Sequence, residues 1–250
     1  NLMRLQLFKC GPRLWRLVWS YPHLLLDGWS IGLLQWDLQA IYRQCVHKEC
    51  NTLMPAPAYR DYIDWIQDQE KTAAQEFWRA YLQGYSTLAS LPGNTLAANS
   101  AAQRTECFYS LGVQNTKRLQ DYSKGAGVSL NSIFQALWAV LLMRYNQLED
   151  VVFGSVVSGR PPQLNGVEAV VGLFINTIPC RVKTTADMSL ATMIESVQMQ
   201  SLSALPFHYL SLAEIKNCSD SNSDLFDHLL IFENYPQKAV AATEEAEQST

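Results

Sequence analysis

Val151-Val152-Phe153-Gly154-Ser155-Val156-Val157 is a strand-length run with almost no polar position. β-branched residues favour extended backbone, and a strand apolar on both sides needs cover on both faces. The run therefore predicts a central strand between two layers and excludes a one-sided sheet. Helical patterns at about 114–124, 129–146, 189–204 and 208–217 supply covering layers, and Ser129 is a plausible N-cap for the second of them. Strands and helices mix without regular βαβ alternation, so the fold class is α/β with mixed sheets.

The rest of the chain adds elements in order. Leu2 to Lys9 and Leu14 to Trp19 read as a hairpin turned at Gly11-Pro12. Two strands alone are marginal in water, so this hairpin is expected to extend a sheet supplied by sequence before residue 1. Ile31, Leu34, Leu38, Ile41 and Cys45 recur at helical spacing. Pro55-Ala56-Pro57 breaks the pattern and marks the lobe boundary. Tyr59 to Leu82 reads as one long helix ended by Gly84. A surface loop over 86–104, a strand over 105–111, a strand from Phe174 to Val182 and a last strand from Leu225 to Phe232 follow. Asn176 and Pro179 interrupt the second of these strands, and a proline fits a strand only at an edge or bulge. From Gln237 onward there is no core pattern.

Composition narrows the function classes. The 250 residues carry a net charge of −4, which argues against a nucleic-acid groove. No apolar run reaches membrane-span length, and the opening Asn-Leu-Met-Arg carries no secretory signal and reads as a chain that starts mid-protein. The six cysteines are scattered through a chain too large to need staples, which reads as free thiols and a cytoplasmic location. Cys45, His47 and Cys50 offer three zinc ligands at unusual spacing without a fourth, so no metal site is expected.

His23 and Asp27 stand four positions apart with only leucines between them, in a loop that joins a strand to a helix. Apolar neighbours on both sides predict burial, and ionisable groups buried against a core call for partners or a function. Asp27 falls where a carboxylate can accept backbone N–H bonds at a helix start.

The spacing from His23 to Asp27-Gly28 resembles the core of the HHxxxDG motif of nonribosomal peptide synthetase condensation domains. Later blocks keep the family's order: Tyr59 to Trp65, Phe77 to Leu82, Asp150 to Pro161, Val171 to Pro179, and Leu225 to Pro236. The resemblance implies a chloramphenicol-acetyltransferase-like fold of two lobes, truncated at both ends here. Residues 1–55 would be the C-terminal part of the N-lobe with the motif, and 56–250 most of the C-lobe.

It also implies an amide-forming acyltransferase. An upstream carrier-bound acyl or peptidyl thioester would meet a downstream aminoacyl amine, both on phosphopantetheine arms. Carrier domains and an adjacent adenylation domain would be partners, with no membrane, no nucleic acid and no bound cofactor. His23 takes the position of the second motif histidine, as general base or amine-positioning group. Asp27 takes the architectural role, pairing with an arginine expected in the missing first lobe. Gly28 would allow a close approach, and Trp29, Ser30, Ser158, Arg160 and Asn176 would line the substrate channel.

Arg160 is weighed between pairing with an acidic group and meeting a carrier-arm phosphate, and Asn176 between lining the cleft and satisfying backbone groups. His208 and His228 read as structural. The first motif histidine is Pro22 here. That departure keeps open a non-catalytic domain docking carrier or tailoring proteins, while a coenzyme A-dependent acyltransferase is the other rival. The isolated piece is expected to be inactive.

Overall fold

The computed structural model describes residues 2–48, 53–91, 105–220 and 224–233. The chain divides into two packing units. The first comprises Asn1–Gln69, Arg160–Ile175 and Glu233–Thr250; the second comprises Glu70–Gly159 and Asn176–Phe232.

The second unit is built on the central strand that the valine run predicts. Strand β3 (Asp150–Val157) lies between β4 (Asn176–Lys183), antiparallel to it, and the two-residue β5 (Leu229–Leu230), parallel to it. Val151 and Phe153 pack into one apolar cluster with Ile133, Leu142, Ile194 and Val197. Val152, pointing the other way, packs with Trp78, Leu82, Leu210 and Ile215. Alternate side chains thus feed two cores, which is why the run from Val151 to Val157 carries no charge.

The cover on one side is α5 (Leu130–Asn146) and α6 (Leu190–Ala204), and on the other α3 (Lys71–Leu82) and α7 (Leu212–Lys216). Ser129 caps α5 as expected, its hydroxyl accepting from Ser132 N at 3.0 Å. Pro179 sits on β4, an outer strand, where its missing N–H breaks no ladder. Gly154 is required: a Cβ there would lie 2.3 Å from Leu229 Cδ2 and 2.5 Å from Phe226 Cε2.

The first unit holds the hairpin β1 (Arg4–Lys9) and β2 (Trp15–Ser20), then α1 (Gly28–His47) and α2 (Tyr59–Gln67). Among the described residues the hairpin pairs only with itself. Its strand residues are exposed apart from the half-buried Trp19. The expected α1 forms, but Leu38, Ile41 and Cys45 on its apolar stripe are exposed and Ser30 is its one buried residue. A small aromatic core of Tyr62, Val167, Val170 and Phe174 joins α2 to residues 160–175.

Several expectations are corrected. The single helix over 59–82 is two, interrupted at Asp68–Glu70, because Tyr62 packs in the first unit and Trp78 in the second. The strand over 105–111 does not form: among the described residues no strand pairs with it, and Phe108 and Tyr109 are 91% and 88% exposed. Instead α4 (Gly112–Ala126) follows directly. β4 starts at Asn176 rather than Phe174, whose ring belongs to the aromatic core. The last strand shrinks to β5, and the helix expected over 208–217 to α7. Gly84 does end α3, with φ 72°. The loop beyond 91, Glu49, Cys50, Asn234 and the tail from Gln237 lie outside the described residues.

Candidate active site

The site is organised where α1 begins. Asp27 takes extended backbone as N-cap, and its Oδ1 accepts from Ser30 N at 2.8 Å. Capping satisfies one of the helix's free N–H groups and sets a negative charge at its positive end. The carboxylate is 1% exposed, so capping alone would leave it poorly compensated. The remaining partners come from residues 160–175: Phe174 N donates to Oδ2 at 3.2 Å, and Arg160 Nη2 lies 3.3 and 3.4 Å from the two oxygens.

Arg160 is as buried as its partner, with 5% of its side chain exposed. Its Nη1 donates to the carbonyls of Val167 at 2.6 Å and Val170 at 2.9 Å. Its guanidinium carbon stands 4.0 Å from the centre of the Phe174 ring and 5.4 Å from that of Trp29. Burial pulls the Arg160 pKa down, and the charge and hydrogen bonds of Asp27 push it back up. An arginine fork serves all these acceptors at once, which a lysine cannot.

Arg160 is therefore the partner of Asp27. The expectation of an arginine from the missing first lobe is corrected, and of the two readings weighed for Arg160 the pairing with an acidic group describes these contacts. The pair meets only because the chain returns 133 residues later.

The neighbouring motif residues serve the same junction. Trp29 Nε1 donates to the Glu168 carbonyl at 2.8 Å. The Ser30 hydroxyl donates to Gly172 O at 2.7 Å and accepts from Gly172 N at 3.0 Å and Arg160 Nη2 at 3.2 Å. It is fully buried and committed to these groups rather than turned to a channel. Gly28 opens α1 and is not among the glycines with left-handed backbone.

The Tyr59 hydroxyl donates to Leu173 O, and burial raises its pKa so that it stays a donor. A Cβ on Gly172 would lie 2.0 Å from the Tyr59 ring. Tyr59 and Gly172 are site-building residues that spacing does not single out. The one signal was a glycine inside the apolar run Val171–Ile175.

His23 lies in the turn before this junction, where Leu25 N donates to Pro22 O at 3.1 Å. The imidazole is exposed, as is Leu24 at 76%, so the predicted burial holds for Leu26 and Asp27 but not for His23. Pro22 contributes a carbonyl to the turn, and its missing N–H costs nothing there.

Ser158 and Asn176 belong to the other unit. Ser158 is exposed beside Gly159, which has left-handed backbone with φ 62°. The Asn176 amide donates to the carbonyls of His208 at 2.8 Å and Leu210 at 2.7 Å, and accepts from Thr177 N at 2.8 Å. The backbone-satisfying reading of Asn176 describes these contacts.

His208 is half-buried, and loss of water around its ring lowers its pKa to about 4. His228 Nδ1 lies 2.7 Å from Asp227 Oδ1, with its ring against Trp138 and Phe153. Among the described residues no group of three or more His, Cys, Asp or Glu could hold a metal, and no single helix is long and apolar enough to cross a membrane.

A buried carboxylate–arginine pair thus stands at the start of α1, just past an exposed histidine. The family model of the condensation domain matches residues 1–250, and the chain belongs to that family. It is 39% identical over 235 residues to bacitracin synthase 3 of Bacillus licheniformis, covering 94% of this chain and 4% of that protein. It is 36% identical over 245 residues to surfactin synthase subunit 3 of Bacillus subtilis (strain 168), covering 98% and 19%.

Among solved structures it resembles the X-domain from teicoplanin biosynthesis, with TM-score 0.69, 22% identity, and cover of 92% of this chain and 53% of that one. It also resembles the first condensation domain of the calcium-dependent antibiotic synthetase, with TM-score 0.69, 18% identity, and cover of 94% and 52%. These likenesses establish the chloramphenicol-acetyltransferase-like fold. The chain spans about half the length of these solved chains and a small part of each synthetase.

Proposed function

We propose that this chain is the motif-bearing part of a domain that joins an upstream carrier-bound acyl or peptidyl thioester to a downstream aminoacyl amine. The observation that carries the reading is the Asp27–Arg160 pair, which fixes the start of α1 while His23 stays exposed in the preceding turn. A thioester is already activated, so the enzyme needs to place the amine, handle its proton and stabilise the tetrahedral oxyanion. His23, as general base or as the group that orients the amine, is worth about 10²–10⁴-fold. Asp27 and Arg160 hold the backbone that aims it.

Residues 1–55 form the end of an N-lobe and 56–250 most of a C-lobe. The substrates ride on phosphopantetheine arms of carrier domains, next to an adenylation domain, in the cytoplasm and with no resident cofactor. Trp29 and Ser158 remain candidates for contact with the arms. The isolated piece is inactive.

The test is amide formation by the intact synthetase module with both carriers loaded. His23→Ala lowers turnover at least a hundredfold, and unchanged turnover removes His23 from the mechanism. A module that docks carriers but makes no amide, with His23 intact, supports the docking reading that Pro22 keeps open.

A further inference from the structure

We infer that Ser30 is a positioning residue for this site, an inference that rests on the amide-forming reading of His23 and Asp27. The Ser30 hydroxyl has one proton and two lone pairs, and all three are engaged: the proton goes to Gly172 O, and the lone pairs face Gly172 N and Arg160 Nη2. Its own N–H is bound to Asp27 Oδ1. The Ser30 hydroxyl and N–H together bond both members of the buried ion pair and the backbone of the returning segment.

The geometry separates two roles. Gly172 is gripped by Ser30 directly, whereas Phe174 N donates to Asp27 Oδ2 and has no bond to Ser30. If Ser30 only fastened Gly172, its loss would be felt at Gly172 alone. Arg160 Nη2 divides its donors between Ser30 and Asp27 at 3.2–3.4 Å, so removing the hydroxyl frees the guanidinium to shift on the Phe174 ring and move the carboxylate that caps α1. Misplacement by about 1 Å at a reacting group can cost as much as 10²-fold. Ser30 acts through Asp27 and touches no reacting atom.

The experiment uses the intact module and Ser30→Ala, which keeps the N–H bond to Asp27 and deletes only the hydroxyl. At a temperature where the variant is fully folded, kcat falls about tenfold or more while KM for both carrier substrates holds, and amide hydrogen exchange speeds up at Phe174 as well as at Gly172. An unchanged kcat with wild-type protection at Phe174 overturns the inference and leaves the proposed function standing. If the wild-type module makes no amide, the proposed function fails, and Phe174 exchange alone decides the inference: wild-type protection there overturns it, faster exchange supports it. Should Ser30→Ala fail to fold, Ser30→Cys fills the same volume with a weak hydrogen-bonding group and is read the same way.

Discussion

Arg160 and Asp27 form a buried ion pair whose side chains are 5% and 1% exposed, and every other contact of either group is a backbone group, Ser30 or an aromatic face. Taking two charges out of water is expensive, and removing one partner strands the other, at a cost of about 3–5 kcal/mol. Asp27→Asn and Arg160→Met should each destabilise the fold by about that amount, and the double variant by clearly less than the sum. Denaturant unfolding of the four proteins checks the cycle. Additive losses would show that the two groups do not interact.

Gly172 lets the backbone lie against the Tyr59 ring. Gly172→Ala puts a methyl 2.0 Å from ring carbons, and the ring is held by its own hydroxyl bond to Leu173 O. The variant should lose about 1–3 kcal/mol, and Tyr59→Val in the same chain should recover part of it. Unfolding midpoints of single and double variants decide the matter.

Pro22 lends the turn only its carbonyl. Pro22→His should change stability by less than about 0.5 kcal/mol and leave amide formation by the module equal or higher. A sharp fall in turnover would show that the His23 turn depends on the proline ring.

His208 ties stability to pH. Burial lowers its folded-state pKa from 6.5 to about 4, so the unfolded chain binds the proton first. Its contribution is fully present above pH 6.5 and is lost as pH falls towards 4, about 3 kcal/mol in all. His208→Gln should flatten that part of the stability curve. An unchanged slope between pH 6.5 and 4 would assign the loss to other groups.

Signals local in the chain were legible in the sequence. The valine run gave a central strand because covering both faces requires apolar residues at every position. Ser129 and Gly84 marked helix ends because capping chemistry is local, and the blocks around His23 and Asp27 carried the family. The strand over 105–111 shows the limit. Its alternation is real, but a strand exists only against a neighbour. The break at Asp68–Glu70 was equally hidden, since the helical period runs on while the two halves pack into different cores.

The sequence by itself placed Asp27 at the start of a helix, because capping chemistry is local, whereas the same leucines that suggested its burial suggested burial of His23 too, which is exposed. It did not determine what would neutralise that carboxylate. Only the tertiary structure brought Arg160, Ser30 and Gly172 together, because a buried charge is compensated by whatever the fold carries to it through space, and chain separation does not record that distance.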